Sequence, residues 1–239
     1  MIRLENVYKS YSGSTGPWVL EDLSLGIGAR EMVFLLGASG AGKSTLLKLV
    51  TLEERPTKGK IKVHHFDSSL VKERQVPELR RRCGVVYQDF RLIRDKTVQE
   101  NVAYVLKMTG ILDPDVIRNE SHRVLDLVGL YAKRHQFPTT LSGGEQQRCA
   151  IARALVHQPS IVLADEPTGN LDPAMGAEIF EILRRVNVAG ATVLVATHDQ
   201  DLARRFADRI VVLEQGKLRR EETPRARRSV ELGELGPVR

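Results

Sequence analysis

The sequence is sparing with cysteine, with aromatics and with long apolar runs. Its 239 residues include two cysteines, Cys83 and Cys149, in no metal-binding or redox spacing, which fits reduced thiols in a cytosolic protein. One tryptophan and an aromatic fraction of 5% leave no aromatic-studded basic motif on which bases would stack. No apolar run exceeds five residues, as in Met32-Val33-Phe34-Leu35-Leu36 or residues 102–106, whereas a bilayer span needs about 20. Met1-Ile2-Arg3-Leu4-Glu5 meets charge before any apolar core forms, so no secretory signal is expected. A large excess of one charge is missing too: 36 Lys and Arg against 30 Asp and Glu leave +6. Residues 217–239 hold seven basic and four acidic side chains, so half of that excess lies in a short tail. The rest is nearly balanced, and no nucleic-acid partner is expected; a basic tail suits anionic lipid or no partner equally well.

What is present is a soluble α/β pattern with enough chain for a real core, in one large domain or two intimate subdomains. Ile2, Leu4 and Val7 read as one strand, and residues 19–27 contain another, with Leu23, Leu25 and Ile27 at period two. Between them residues 12–17 read as a loop by composition. Met32 to Leu36 is a continuous apolar run, as in a strand covered on both faces. From about Thr97 to Gly129 the period turns helical, and a further helix follows Leu141-Ser142-Gly143-Gly144 as far as Ala154. Residues 161–164 and 192–196 are two more buried strands, with a helix over roughly 174–186 between them. Val211-Val212-Leu213 precedes a hairpin turn at Gly216. Strands alternating with helices predict a mostly parallel sheet covered on both sides. After Glu222 periodicity is lost, and a basic, poorly ordered tail is expected over 223–239.

The run at Met32 leads straight into Gly37-Ala38-Ser39-Gly40-Ala41-Gly42-Lys43-Ser44, followed by Thr45 and a helix-compatible stretch. This is the phosphate-binding loop G-x-x-x-x-G-K-S in its required context of strand, loop and helix. Its glycines let backbone amides curl around phosphate oxygens, Lys43 reaches the β- and γ-phosphates, and Ser44 is placed to ligate Mg²⁺. A nucleoside triphosphate, ATP or GTP, is the implied ligand. Asp165 and Glu166 end the apolar strand at 161–164, where a carboxylate sits beside the phosphate crevice of an open α/β sheet. Asp165 fits a partner of Mg²⁺, and Glu166 a general base for the attacking water. A solvated acidic turn capped by Pro167 is the plainer alternative.

Leu141-Ser142-Gly143-Gly144-Glu145-Gln146-Gln147-Arg148 decides the family. Its first six residues would arise by chance on the order of once in ten million positions. The chain resembles the ATP-binding subunits of ABC transporters, whose signature reads LSGGQ or LSGGE. The resemblance covers about residues 1–220 and implies a P-loop NTPase core with a mostly parallel sheet. It also implies an N-terminal antiparallel β subdomain and an α-helical subdomain over about 90–156, all within a single ATP-binding domain of residues 1–222. It implies that Ser142, Gly143, Gly144 and Glu145 face a nucleotide held by a second copy, giving an ATP-dependent head-to-tail homodimer. Gln88 then resembles the glutamine that contacts Mg²⁺ and water, and His198 the histidine that contacts the γ-phosphate. Asp172, in Gly169-Asn170-Leu171-Asp172, resembles the loop that meets the opposing subunit, and Tyr11 the aromatic that stacks on adenine. Taken alone, each is an ordinary surface or strand residue.

Val86-Tyr87-Gln88-Asp89-Phe90-Arg91-Leu92-Ile93 narrows the choice, since it is similar to the corresponding stretch in cell-division members of the family. Tyr87, where phenylalanine is expected, and the long loop before Trp18 depart from that pattern. The likeness implies a peripheral subunit at the cytoplasmic face of the membrane. Its partner would be a membrane subunit that reaches peptidoglycan hydrolases, received at Phe90 and Leu92 with Arg91 and Arg94 at the rim. An ATPase of lipoprotein release or of macrolide or peptide efflux remains the alternative. A soluble ABC ATPase acting on DNA or ribosomes fits less well, because it would carry two nucleotide domains or a coiled-coil insertion.

Overall fold

The computed structural model describes residues 1–13, 16–169 and 171–224. In chain order the elements begin with β1 (Ile2–Lys9), β2 (Leu20–Ile27), β3 (Met32–Leu36), α1 (Lys43–Val50), β4 (Lys58–Val63), β5 (Phe66–Asp67), α2 (Val76–Arg81) and β6 (Cys83–Val86). Three helices follow, α3 (Val98–Met108), α4 (Pro114–Leu127) and α5 (Gly143–Leu155). The chain then runs through β7 (Ile161–Asp165), α6 (Pro173–Val188), β8 (Thr192–Thr197), α7 (Gln200–Phe206), β9 (Arg209–Glu214) and β10 (Lys217–Glu222). Among the described residues no helix is long and apolar enough to cross a membrane.

The strands make two sheets: an antiparallel one in the order β2-β1-β4-β5, and a larger one in the order β10-β9-β3-β8-β7-β6. In the larger sheet β9, β3, β8, β7 and β6 run parallel, and β10 alone is antiparallel. The hairpin expected at Gly216 forms, with φ of 49° at Gln215 and 77° at Gly216, two successive positive values as a tight hairpin requires. In the smaller sheet β1 and β2 each carry a bulge where the pairing slips. Asn6 and Asp22, at φ of 46° and 49°, are the extra residues, and the Asn6 side-chain amide donates to Asp22 Oδ1 at 3.0 Å. These bulges return Val7 and Leu23 to the inner face despite three-residue spacings from Leu4 and Leu20.

The continuous apolar run of β3 is explained by its position, because successive strand residues point to opposite faces. Met32, Phe34 and Leu36 join the apolar cluster beneath α3 to α7, while Val33 and Leu35 join the one shared with α1, α2 and the antiparallel sheet. Two cores on two faces hold β3 rigidly where the glycine loop leaves it. β6 ends at Val86, so Tyr87 already belongs to the turn that carries Gln88. Asn170, and the basic tail from residue 225 onward, lie outside the described residues.

Candidate active site

The register of the parallel strands brings distant residues to one edge. Leu36 of β3 pairs with Thr197 of β8, Ala196 with Asp165 of β7, and Ala164 with Val86 of β6. The residues that follow, Gly37, His198, Glu166 and Tyr87-Gln88, therefore leave the sheet together at its carboxyl edge, where open α/β sheets hold their ligands.

Gly42 precedes α1 with φ of 98°, and a Cβ there would lie 2.6 Å from Leu20 Cδ2 and 2.9 Å from the Val19 carbonyl. Only glycine fits this joint. The first turn of α1 carries no acidic residue, which leaves the positive end of the helix dipole available to an anion. Gly37, Ala38, Ser39, Gly40 and Ala41 form the loop in front of it, with Ala38, Ser39 and Gly40 exposed. Lys43 is 6% exposed. Its Nζ donates to the carbonyls of Gly37 at 2.7 Å and Ala38 at 3.2 Å, and pairs with Glu166 Oε1 at 3.3 Å. Ser44 Oγ donates to Asp165 Oδ1 at 3.0 Å, so the two oxygen groups implied for Mg²⁺ are already side by side.

Burial pushes the Asp165 carboxyl up; the Ser44 hydrogen bond opposes the rise and neighbouring Glu166 adds to it. Glu166 has φ of 44°, a left-handed conformation that a bulky residue adopts only where its surroundings hold it. There its second oxygen meets His198 Nδ1 at 3.0 Å. Gln88 shares a cleft of about 370 Å³ with Tyr87, Asp89, Arg91 and Asp165. A larger concavity of about 820 Å³ lies over the edge of β1 and β2. That one holds the ion-paired Arg3 and Glu5 and none of the residues that converge at the carboxyl edge of the sheet, whereas the smaller cleft is lined by Gln88 and Asp165.

Tyr11, 59% exposed, stands beside the loop. Its hydroxyl donates to Glu54 Oε1 at 2.9 Å and lies 3.3 Å from the Thr45 hydroxyl. Lys9 Nζ sits 4.9 Å from the ring centroid. Burial raises the Glu54 carboxyl, but the bonds from Lys9 and Tyr11 outweigh it and leave it below the usual carboxylate value.

The Ser-Gly-Gly segment opens α5. The Glu145 amide donates to Ser142 Oγ at 3.3 Å, the Ser142 amide donates to Glu145 Oε2 at 3.0 Å, and Lys133 pairs with Glu145 Oε1 at 2.5 Å. The bond from Lys133, with that of the Ser142 amide, holds Glu145 below the ordinary carboxylate value. Ser142 and Gly143 are exposed, whereas Gly144 is buried beneath Met175, whose side chain fills the space a Cβ would need. Asp172 caps α6, accepting from the amides of Ala174 at 3.1 Å and Met175 at 3.0 Å. These signature contacts run to Lys133 and the start of α6, not to the phosphate-binding loop of the same chain.

The structure thus gathers Lys43, Ser44, Gln88, Asp165, Glu166 and His198 at one edge and sets Tyr11 beside them. The residues expected to meet a membrane partner divide. Leu92 packs against the helical core, Phe90 is half-buried, and Arg91 and Arg94 are exposed. Sequence reading missed Lys9, Glu54, Gln147, Arg153 and Met175. Gln147, inside the signature stretch, is the one that a motif could have flagged; the others act through pairings far apart in sequence.

The ABC transporter family matches residues 20–169 of the chain. The cell division ATP-binding proteins FtsE of Bacillus subtilis and Mycobacterium tuberculosis are 45% and 46% identical to it, over 93% of this chain and 96% of theirs. FtsE of Escherichia coli is 48% identical over 91% of this chain and 97% of its own length. Among solved structures, the ATP-binding cassette MJ0796, a post-hydrolysis dimer bound to ADP and phosphate, superposes with a TM-score of 0.87 at 36% identity. That match covers 95% of this chain and 100% of the cassette. The cbiO1 subunit of a Clostridium perfringens ABC transporter complex gives 0.85 at 28% identity, covering 93% of this chain and 88% of its own. With one family matching over half of its length and whole cassettes overlaid on its fold, the chain belongs to the ABC transporter family and is one of its ATP-hydrolysing, nucleotide-binding subunits.

Proposed function

We propose that the chain is the ATPase of a cell-division complex of the FtsE kind. It works on an FtsX-like membrane subunit, through which ATP hydrolysis activates septal peptidoglycan hydrolases. The observation that carries this reading is the likeness to FtsE proteins over more than nine-tenths of both lengths. The stretch Gln88-Asp89-Phe90-Arg91-Leu92 beside the catalytic cleft agrees with it.

The phosphates of ATP take Lys43 and the loop amides of residues 38–45, while Tyr11 stacks on the adenine. Ser44, Asp165 and Gln88 would hold Mg²⁺, for which an oxygen donor set is suited, and which would supply charge neutralisation at the phosphates. Glu166, oriented by Lys43 and His198, accepts the proton of the attacking water, and His198 contacts the γ-phosphate. Ser142, Gly143, Gly144 and Glu145 of one copy close over the nucleotide of the other, with Asp172 at the seam. ATP therefore joins two chains, and hydrolysis parts them.

The helical part of the chain offers the surface for the membrane subunit. Asn101 of α3 grips the segment after Gln88, its Oδ1 accepting from the Ile93 amide at 2.8 Å and its Nδ2 donating to the Ile93 carbonyl at 3.0 Å. Farther along, Tyr104, Met108, Leu112 and Val116 expose apolar side chains on α3, its following turn and the start of α4. A short amphipathic cytoplasmic helix suits such a face. The membrane subunit keeps the chain peripheral at the cytoplasmic face.

Co-expression tests the assignment. An FtsX-like subunit retains the chain through detergent extraction and affinity purification. Retention by a lipoprotein-release or macrolide-efflux membrane subunit, with none by the FtsX-like one, would overturn the reading.

A further inference from the structure

The turn that carries Gln88 holds two successive non-glycine residues in the left-handed region, Phe90 at φ of 58° and Arg91 at 50°. L-residues resist this conformation, and a consecutive pair persists only where surrounding contacts impose it. Some of those contacts are local. The Phe90 amide donates to the Tyr87 carbonyl at 3.3 Å and the Arg91 amide to the Asp89 carbonyl at 2.6 Å. The Arg91 guanidinium lies 3.8 Å over the Tyr87 ring and bonds Asp89 Oδ1 at 3.2 Å. None of these ties the turn to the rest of the fold.

Arg153 does. From the last turn of α5 it places one guanidinium nitrogen on the Phe90 carbonyl at 2.7 Å and the other on the Arg91 carbonyl. The two terminal nitrogens of a planar fork are fixed relative to each other, so this grip sets the separation and tilt of two carbonyls in adjacent left-handed residues. The same helix is anchored on the catalytic side, where Gln147 Nε2 donates to the Pro167 carbonyl at 2.7 Å, immediately after Glu166. The Gln88 amide itself lies close to Gly169, within 3.5 Å of where a Cβ would stand.

We propose that Arg153 is the positioning residue for Gln88: by clamping the carbonyls of Phe90 and Arg91 it fixes the turn that holds Gln88 in the cleft it shares with Asp165. The proposal rests on the reading of Gln88 as the glutamine of the phosphate site. Arg153 does not touch the nucleotide. It acts through backbone geometry, so its loss affects turnover more than binding.

The test is a double-mutant cycle of Arg153→Met with Gln88→Ala, with Arg153→Lys alongside, in the full chain with ATP and Mg²⁺. Arg153→Met keeps ATP affinity within about threefold of the parent. It lowers kcat about tenfold or more with little change in KM. Hydrogen exchange speeds up at the amides of residues 89–92 and not in α1. Gln88→Ala lowers kcat, and the double variant is no slower than Gln88→Ala alone, because both changes remove one positioned amide. Losses that multiply, or exchange at 89–92 equal to the parent, would reject Arg153 as the positioning residue. Full turnover in Gln88→Ala overturns the proposal through its premise instead, and exchange at 89–92 then reads the clamp by itself. Should Arg153→Met fail to fold, Arg153→Lys carries the same cycle, since a lysine keeps stem and charge but lacks the fork.

Discussion

A buried ammonium needs compensation before its ligand arrives, and Lys43 has it in two loop carbonyls and the Glu166 carboxylate. The arrangement sets up a competition. Under the proposed function, a phosphate entering the loop would draw Lys43 away from Glu166 and leave that carboxylate to the attacking water. The two cysteines show the opposite use of burial. With no partner to favour the thiolate, burial alone pushes Cys83 up to about 12, and burial, slightly opposed by Arg153, does the same for Cys149. At pH 8 about one in ten thousand of such thiols is ionised, against tens of per cent for an exposed one. The native chain is therefore expected to take up no iodoacetamide at pH 8, while the unfolded chain takes up one per cysteine. Mass spectrometry reads the difference, and labelling of either thiol in the native chain would contradict the burial. At this scale the sequence was legible where one short stretch carries its own chemistry, as at residues 37–45, 142–145 and 165–166. It was silent on Glu54 and Arg153, whose meaning comes from Tyr11 and from the Phe90–Arg91 carbonyls, more than forty positions away.

The element that binds the site together is α5. Its start is the signature, its buried Gln147 holds the segment after Glu166, and its end holds the Gln88 turn. Ser142 and Glu145 cap it reciprocally, and such a cap contributes about 1 kcal/mol to the helix that must present it. The helix lies so close to β6 that a Cβ on Gly84 would overlap the Ala154 carbonyl and stand 2.9 Å from Pro159 Cγ. A backbone carbonyl cannot swing aside as a side chain can. Gly84→Ala is thus expected to cost about 1–3 kcal/mol, seen as a lowered melting temperature, with ATPase activity falling as α5 is displaced. Gly26→Ala, at an exposed strand position with nothing within 4 Å, is the control and is expected within about 0.5 kcal/mol of the parent. Equal melting temperatures for the two variants would refute the close approach. The long parallel strands and the helices from α3 to α6 were legible because their apolar periods run for several residues. β4, β5, α2 and α7 were not. Lys58-Gly59-Lys60-Ile61-Lys62-Val63 holds two apolar residues, β5 spans two residues, and both short helices depend on packing rather than on period.

For the whole molecule, the decisive feature is that a single chain holds the groups proposed for catalysis and its signature on surfaces that do not meet. Lys43, Asp165 and Glu166 converge at the sheet edge, while Ser142 and Gly143 stand exposed at the start of α5, packed toward Leu171 and α6. Each copy carries a net charge of +6, so two copies repel weakly until each nucleotide adds its roughly four negative charges between them. Glu166→Gln separates binding from hydrolysis. The amide cannot form the ion pair with Lys43, so the phosphates meet less competition, and it cannot accept the proton of the water. The variant is expected to run as a monomer without nucleotide and as a dimer of twice that mass with ATP and Mg²⁺, with turnover lowered about a hundredfold or more. The parent chain, which hydrolyses its ATP, returns to the monomer. Light scattering on a sizing column reads both states. A monomer peak unmoved by ATP, in a variant shown to bind it, would reject the composite site and require some group within the same chain to complete the γ-phosphate pocket.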